Sequence, residues 1–341
     1  MKIIVDAFGG DNAPLEILKG CQMAVEELDI DILLTGSEKI IRQVAAENNI
    51  SLNRMEIADA PDVITMDDSP KSIMKEKSGC SLAEGLRRLA AGDGDAVVSS
   101  GNSGALVFGA NMIVKRIKGV KRVAFAPVMP KDDGFFMLID GGANVECRPE
   151  MLQQFAMMGA AYMEHVMGVK NPRVALANVG TEDHKGGELQ LEAFQLLKNT
   201  PVNFIGNIEA RDIPVDAGDV IVCDGFTGNV ILKLYEGVAL TLMKKIKGIF
   251  TKSTKNKLAA ALVLSDMKGL KKQMDYNEYG GAPIMGAAKP VFKAHGSAKA
   301  QTFKNALRLT KAYVEGDVVS KITRSIQEMK AAETTAEGGQ A

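Results

Sequence analysis

The chain has 341 residues, 46% hydrophobic and 24% charged, with a formal net charge of -1. That balance fits one large or two smaller soluble globular α/β units, and it argues against a nucleic-acid binder held by overall positive charge. No apolar run reaches the roughly 20 residues that a bilayer span needs. Cys21, Cys80, Cys147 and Cys223 are scattered and form no CxxC pair. With no signal-peptide pattern at the start, they are expected to be reduced thiols in a cytoplasm.

Apolar runs alternate with helical patterns along the chain. KIIVD (2–6) reads as a strand, followed by the turn DAFGGD (6–11) and a helix over 14–28 opened by Pro14. DILLTG (31–36) is the next strand. A helix over 80–91 precedes AVVSS (96–100) and the turn SSGNSG (99–104). RVAFAPV (122–128) and FFMLID (135–140) read as strands, the second entering DGGAN (140–144) and a helix over 150–167. RVALANV (173–179) leads into NVGTEDHKGG (178–187) and a helix over 186–198. VNFIG (202–206) and DVIVCD (219–224) follow, and DGFTGN (224–229) opens a helix over 228–247. EYGGAPIMG (278–286) reads as a Gly-rich turn. AHGS (294–297) ends the apolar run PVFKA and precedes a helix over 298–314. The small, polar tail AAETTAEGGQA (331–341) predicts a frayed end, leaving one domain over 1–330. The strands lack strict alternation, so both faces of a parallel or mixed sheet should be covered. This is a three-layer α/β/α architecture.

One motif occurs twice. DAVVSSGNSGAL (95–106) and DVIVCDGFTGNV (219–230) share Asp95/Asp219, Val98/Val222, Gly101/Gly225 and Gly104/Gly228, with Ser103/Thr227 alike in chemistry. Each is an apolar run, a Gly-x-[Ser/Thr]-Gly turn and a helix-like segment. That layout brings backbone N–H groups and the positive end of a helix to an anion. In open α/β sheets ligands bind beyond the carboxyl ends of strands, so these loops are expected to build one site together.

Several chemistries are excluded by missing signatures. There is no GxxxxGK[ST], no GxGxxG after the first strand, no HExxH, no Cys/His cluster and no GxSxG. His165 reads as a helix-surface residue. His184 sits beside Lys185, and His295 lies at a strand end beside Gly296 and Ser297. Lys185, before Gly186 and Gly187, could neutralise a phosphate or an oxyanion; Lys185→Ala should then cost more than about tenfold in turnover. Asp6, Asp11, Asp140 and Asp224 border glycine turns. Each could position a substrate or bond its own backbone.

The ordered set DAFGGDNAP, SSGNSGA, GANVE, NVGTEDHKG, GNIEARD, VCDGFTGNVILKLYEG, YGGAPIMG and AHGS resembles the bacterial phosphate acyltransferases of phospholipid synthesis, the acyl-ACP:phosphate transacylases, over residues 1–315. Ser100 stands where that family's pattern has Ala, Ser103 where it has Thr, and Gly141 where it has a branched residue. The resemblance implies transfer of a fatty acyl group from acyl carrier protein to inorganic phosphate. The acyl phosphate would pass to a membrane glycerol-3-phosphate acyltransferase. It also implies a fold like the isocitrate and isopropylmalate dehydrogenases, with two interlocked lobes, and a homodimer. No cofactor and no metal is expected. Phosphate is itself the nucleophile, so no covalent acyl-enzyme is required, and the thiolate leaves readily. The enzyme has to hold phosphate at the thioester and stabilise the oxyanion. The expected phosphate ligands are Ser99, Asn102, Ser103 and Gly104, helped by Lys185. His295 and Ser297 are assigned to the oxyanion or the departing sulfur. Asp224, Thr227 and Asn229 complete the wall from the second motif, with Asp6 and Asp11 as further wall residues.

The stretch 244–272 holds nine lysines against one acidic residue, Asp266, around apolar positions that include Leu258, Leu262 and Val263. Such a segment suits an anionic membrane surface on the inner face of the cell membrane, or amphipathic helices packed in the core or a dimer interface. KRIKGVKR (115–122) could receive an acidic carrier protein or form a solvated turn. Three other functions remain open. They are a coenzyme A-dependent phosphotransacetylase, a metal- and NAD-dependent decarboxylating dehydrogenase, and a peripheral membrane scaffold.

Overall fold

A computed structural model describes residues 1–273 and 280–338. The apolar runs assemble into two sheets. The first contains β1 (Lys2–Asp6), β2 (Asp31–Gly36), β3 (Met55–Asp59), β4 (Ala96–Ser99) and β5 (Ala124–Phe125). The second contains β6 (Val128–Pro130), β7 (Phe135–Ile139), β8 (Arg173–Asn178), β9 (Asn203–Glu209) and β10 (Val220–Val222). The chain then returns to the first sheet with β11 (Gly281–Met285) and β12 (Val291–Ala294). The orders are β3-β2-β1-β4-β12-β11-β5 and β6-β7-β10-β8-β9. Pairing is parallel except at β11, which runs antiparallel to β12 and β5, and at β6 against β7. The second lobe is thus inserted into the first.

Alternation assigns each face. Ile3 and Val5 of β1 are buried in one cluster and Ile4 in another, so the strand is covered on both sides. The first cluster also takes Met137 and Ile139 of β7 and Val220 and Val222 of β10, making one apolar core common to both lobes. It is filled by α1 (Leu15–Leu28), α5 (Pro149–His165), α10 (Ala300–Glu315) and the start of α11 (Val318–Gly338). The outer face of the first sheet is covered by α3 (Ser81–Ala91) and α4 (Ser103–Gly109). α7 (Gly225–Thr251) covers the outer face of the second through Leu232, with Ile231 and Tyr235 packed alongside.

Four expectations change. The run 122–128 is two strands, because the chain leaves one sheet at Phe125 and enters the other at Val128. Gly141 N–H donates to Phe125 O (2.7 Å) and Leu138 N–H to Pro127 O (3.0 Å), which ties the lobes at the crossover. GAPIM, read as a turn, is strand β11. The helix expected at 228–247 begins at Gly225 and ends at Thr251, followed by α8 (Thr254–Leu262) and α9 (Leu264–Gln273). The tail does not break at 330, since α11 continues to Gly338. Glu278 and Tyr279 of EYGGAPIMG and residues 339–341 lie outside the described residues. Among the described residues no helix is long and apolar enough to cross a membrane.

The doubled motif plays one structural part in each lobe. Asp95 accepts from Lys2 N–H at the start of β1 (2.8 Å), and Asp219 accepts from Arg173 N–H at the start of β8 (2.9 Å). Each aspartate therefore fixes the register of a parallel strand pair whose far end faces the site.

Candidate active site

A cleft of about 1000 Å³ opens where the carboxyl ends of strands from both sheets converge. The first lobe contributes Gly10 and Asp11 after β1, Ser100, Gly101, Ser103 and Gly104 after β4, and Lys293, His295 and Ser297 at the end of β12. The second contributes Gly141 to Asn144 after β7, and Asn229, Leu232 and Lys233 from α7. Arg122, Phe125 and Met129 lie at the crossover between the lobes. Val107, Phe108, Val123 and Leu232 give the wall an apolar stretch beside its cations.

The floor depends on glycine. Gly10 has φ +93°, and a Cβ there would lie 2.8 Å from both Gly296 O and Ser100 Cβ. Asp11 N–H donates to Gly296 O at 2.8 Å, closing the β1 loop against the β12 loop. In the second lobe a Cβ on Gly228 would strike Asp140 O, so α7 can approach the β7 turn only without a side chain there.

Of the expected residues, Asp11, Ser103, Gly104, Asn229, His295 and Ser297 line the cleft. Five others lie behind it, their side chains already used. Asp6 is fully buried and accepts from Ser81 Oγ (2.6 Å), Ser99 Oγ (2.7 Å) and Phe8 N–H (3.2 Å). Ser99 Oγ also accepts from Gly101 N–H at 3.0 Å, so its hydroxyl shapes the turn instead of reaching the cleft. Asn102 caps α4: its Oδ1 accepts from Ala105 N–H, and its Nδ2 donates to Thr65 O and Asp68 O. Asp224 caps α7, accepting from Thr227 N–H (2.9 Å) and Thr227 Oγ (2.8 Å); that pairing occupies the Thr227 hydroxyl too. A carboxylate or amide preceding a glycine turn is well placed to cap the helix, and here capping takes these groups.

Lys185 is not among the residues lining the cleft. Its loop folds on itself: Asn178 Nδ2 donates to Lys185 O (3.0 Å), and Asn207 Nδ2 donates to Glu182 O (2.9 Å). The strand before it, β8, lies beyond β10 from the edge that meets the first lobe. His184 is exposed on the same loop.

Two groups that sequence reasoning passed over stand at the floor. Lys293 is buried, and its Nζ donates to Ser100 O and Ala294 O, both at 2.7 Å. Burial pushes its pKa down to about 8, opposed by Asp6 and Asp11. Ser100 is buried and lines the cleft, and its hydroxyl has no hydrogen-bond partner among the described residues. Lys293 was hidden inside the apolar run PVFKA; the signal was a charged residue within a strand of buried neighbours. Asp140 organises the opposite wall. It accepts from the N–H groups of Phe125, Gly142, Ala143 and Asn144, and from Asn144 Nδ2 (2.8 Å).

His295 Nδ1 accepts from Ser297 N–H (3.2 Å) and lies 2.8 Å from Ser297 Oγ. A backbone N–H can only donate, so the neutral ring carries its proton on Nε2. Burial holds the His295 pKa below its ordinary value, which favours that neutral form at pH 7. Burial pushes the thiol of Cys147 up to about 12 and raises Cys21, Cys80 and Cys223 as well. No cysteine here is a thiolate nucleophile at neutral pH.

Two interlocked α/β lobes with a cleft between them have the fold of the phosphotransacylases. The fold superposes on EutD phosphotransacetylase from Staphylococcus aureus with TM-score 0.60 at 17% identity, covering 92% of this chain and 94% of that one. It also superposes on 4-hydroxythreonine-4-phosphate dehydrogenase from Klebsiella pneumoniae with TM-score 0.55 at 12% identity, over 92% of this chain and 97% of that one. Residues 1–321 match the family described as "Fatty acid synthesis protein". The chain is 43% identical to phosphate acyltransferase from Clostridium acetobutylicum over 96% of its length and all of that protein, and 44% identical to the enzyme from Clostridium novyi over 96% and 99%. The chain belongs to this phosphate acyltransferase family and is an acyltransferase.

Proposed function

We propose that this chain transfers a fatty acyl group from acyl carrier protein to inorganic phosphate, giving acyl phosphate for phospholipid synthesis. The observation that carries this reading is one cleft in which Lys293, Arg122 and Lys233 adjoin the apolar side chains of Val107, Phe108 and Leu232. An anion and an acyl chain can bind side by side there. Phosphate attacks the thioester carbonyl directly, the C–S bond breaks, and the carrier thiolate leaves. The His295 ring donates from Nε2 to the oxyanion or the departing sulfur, and the Ser297 hydroxyl, which donates to Nδ1, orients it. Ser103 and Gly104 face them from the first motif, and Asn229 from the second. Arg122 brings the basic segment 115–122 to the rim of the cleft, suiting it to an acidic carrier protein.

The helical arm formed by the end of α7 and by α8, which has no buried residue, carries the membrane part of the proposal at its tip, Leu258 to Val263. Leu258 and Leu262 are 68% and 87% exposed, Val263 is 36% exposed, and lysines surround them. An anionic bilayer surface suits this tip, and a second copy of the chain suits the exposed stripe Leu234–Val238–Leu242 along α7.

The test is phosphate-dependent release of carrier-protein thiol from palmitoyl-ACP, with acyl phosphate identified as product. Acetyl-CoA is the control donor. Turnover of palmitoyl-ACP and not acetyl-CoA supports the proposal. Turnover of acetyl-CoA alone replaces it with a short-chain phosphotransacetylase.

A further inference from the structure

The floor of the cleft contains two polar groups that its own hydrogen bonding leaves incomplete. The Ser100 hydroxyl is buried, 1% exposed, and has no partner among the described residues. A buried hydroxyl without a partner is costly, and natural proteins keep few of them. Lys293, 8% exposed, donates to two acceptors among the described residues, the carbonyls of Ser100 and Ala294. An ammonium has three N–H donors, so one is left over. Both residues line the same cleft, and the Lys293–Ser100 bond joins them directly. Gly10 lets the β1 loop close against Gly296 and Ser100, and Gly296 puts no side chain beside the two donors. Two unspent donors, one cationic and both shielded from water, match a small tetrahedral oxyanion.

We propose that Lys293 and Ser100 form the inorganic-phosphate subsite of this enzyme, with the Lys293 ammonium and Ser100 hydroxyl donating to phosphate oxygens at the floor of the cleft. This rests on the acyl-to-phosphate reading above. It moves the phosphate from the loop containing Lys185, and from the capped residues Ser99 and Asn102, to the meeting point of β4 and β12. Lys293 comes two residues before His295 at the end of β12 and both line the cleft, so the phosphate ligand and the group assigned to the oxyanion share one wall. The charged groups that face Lys293 are Asp6 on β1, Asp11 after β1 and Lys233 on α7. Asp6 and Asp11 favour the ammonium, while burial and Lys233 oppose it. Phosphate affinity is therefore full below about pH 8 and falls as pH rises through that value.

The experiment is steady-state kinetics of the full chain with palmitoyl-ACP and inorganic phosphate, using Ser100→Ala and Lys293→Met, with phosphate binding measured separately by calorimetry without acyl donor. Ser100→Ala should raise KM for phosphate about tenfold, and Lys293→Met by about a hundredfold or more, with KM for palmitoyl-ACP within about twofold. Lys293→Met should also lose the fall in phosphate affinity above about pH 8. If Lys293→Met does not fold, Ser100→Ala decides alone, since it removes a single oxygen that has no hydrogen-bond partner among the described residues. Unchanged KM for phosphate in Ser100→Ala overturns the proposal. So does a loss confined to kcat, which would place these donors on the acyl oxyanion instead. Absence of turnover in the wild-type enzyme would overturn the acyl-transfer reading, whereas phosphate binding lost in the variants would still uphold the subsite.

Discussion

Asp6→Ala tests how far the buried carboxylate behind the cleft shapes its floor. Asp6 accepts three donors, Ser81 Oγ at 2.6 Å, Ser99 Oγ at 2.7 Å and Phe8 N–H at 3.2 Å. Ser99 in turn holds Gly101 N–H, so the carboxylate sets the turn between β4 and the cleft. Removing it leaves up to three donors in a site with no exposed surface. At about 1–3 kcal/mol for each unsatisfied buried donor, and with water or side-chain rotation relieving part of the loss, the cost should be about 3–5 kcal/mol. The assay is urea unfolding at pH 7, paired with KM for phosphate. The variant should lose that stability and bind phosphate at least about tenfold more weakly, because the Ser99–Gly101 turn is no longer pinned. A change below about 1 kcal/mol with KM unchanged would refute this account of the floor.

Asp219 is held below the usual carboxylate range although burial pushes it upward: the Arg173 side chain and N–H and Lys131 outweigh that effect. A depressed folded pKa means stability present above the unfolded value of about 4 and lost as pH falls through the folded one. Asp219→Asn should cost about 2 kcal/mol at pH 7 and flatten the acid limb of an unfolding-versus-pH profile; an unchanged limb would dismiss the cluster as an acid-sensitive element. Leu258→Glu with Val263→Glu should abolish sedimentation with anionic liposomes while circular dichroism stays unchanged, and retained binding would remove the arm tip from the membrane proposal. Lys185→Ala should lower turnover less than Lys293→Met in parallel thiol-release assays, and the reverse order would return Lys185 to the chemistry. Incubation with palmitoyl-ACP without phosphate should leave the protein mass unchanged, and an acyl adduct would show a covalent route.

Much of the architecture was legible along the chain because strands buried on both faces are nearly uniformly apolar. KIIVD, DILLTG and RVALAN are visible for that reason, and their turns are visible through glycine. MEIAD of β3 was not, since it pairs on one edge only, leaving Glu56 and Asp59 exposed. Nor was GAPIM, whose glycine and proline mimic a turn while its neighbours β12 and β5 make it a strand. The doubled Gly-x-[Ser/Thr]-Gly turn meets the cleft from each lobe, with Gly104 and Asn229 both lining it.

Local sequence determined which loops carry polar groups at strand ends, because turn chemistry and burial periodicity are short-range properties. Only the tertiary structure decided which of those groups remain available. Asn102 and Asp224 spend their oxygens capping the helices that start beside them, and Ser99 gives its hydroxyl to Asp6, 93 residues away. Ser100 and Lys293 are 193 residues apart and meet only because β4 and β12 pair in parallel. Whether a donor is satisfied depends on what distant strands bring to it, and long-range pairing of that kind has no signature in either segment by itself.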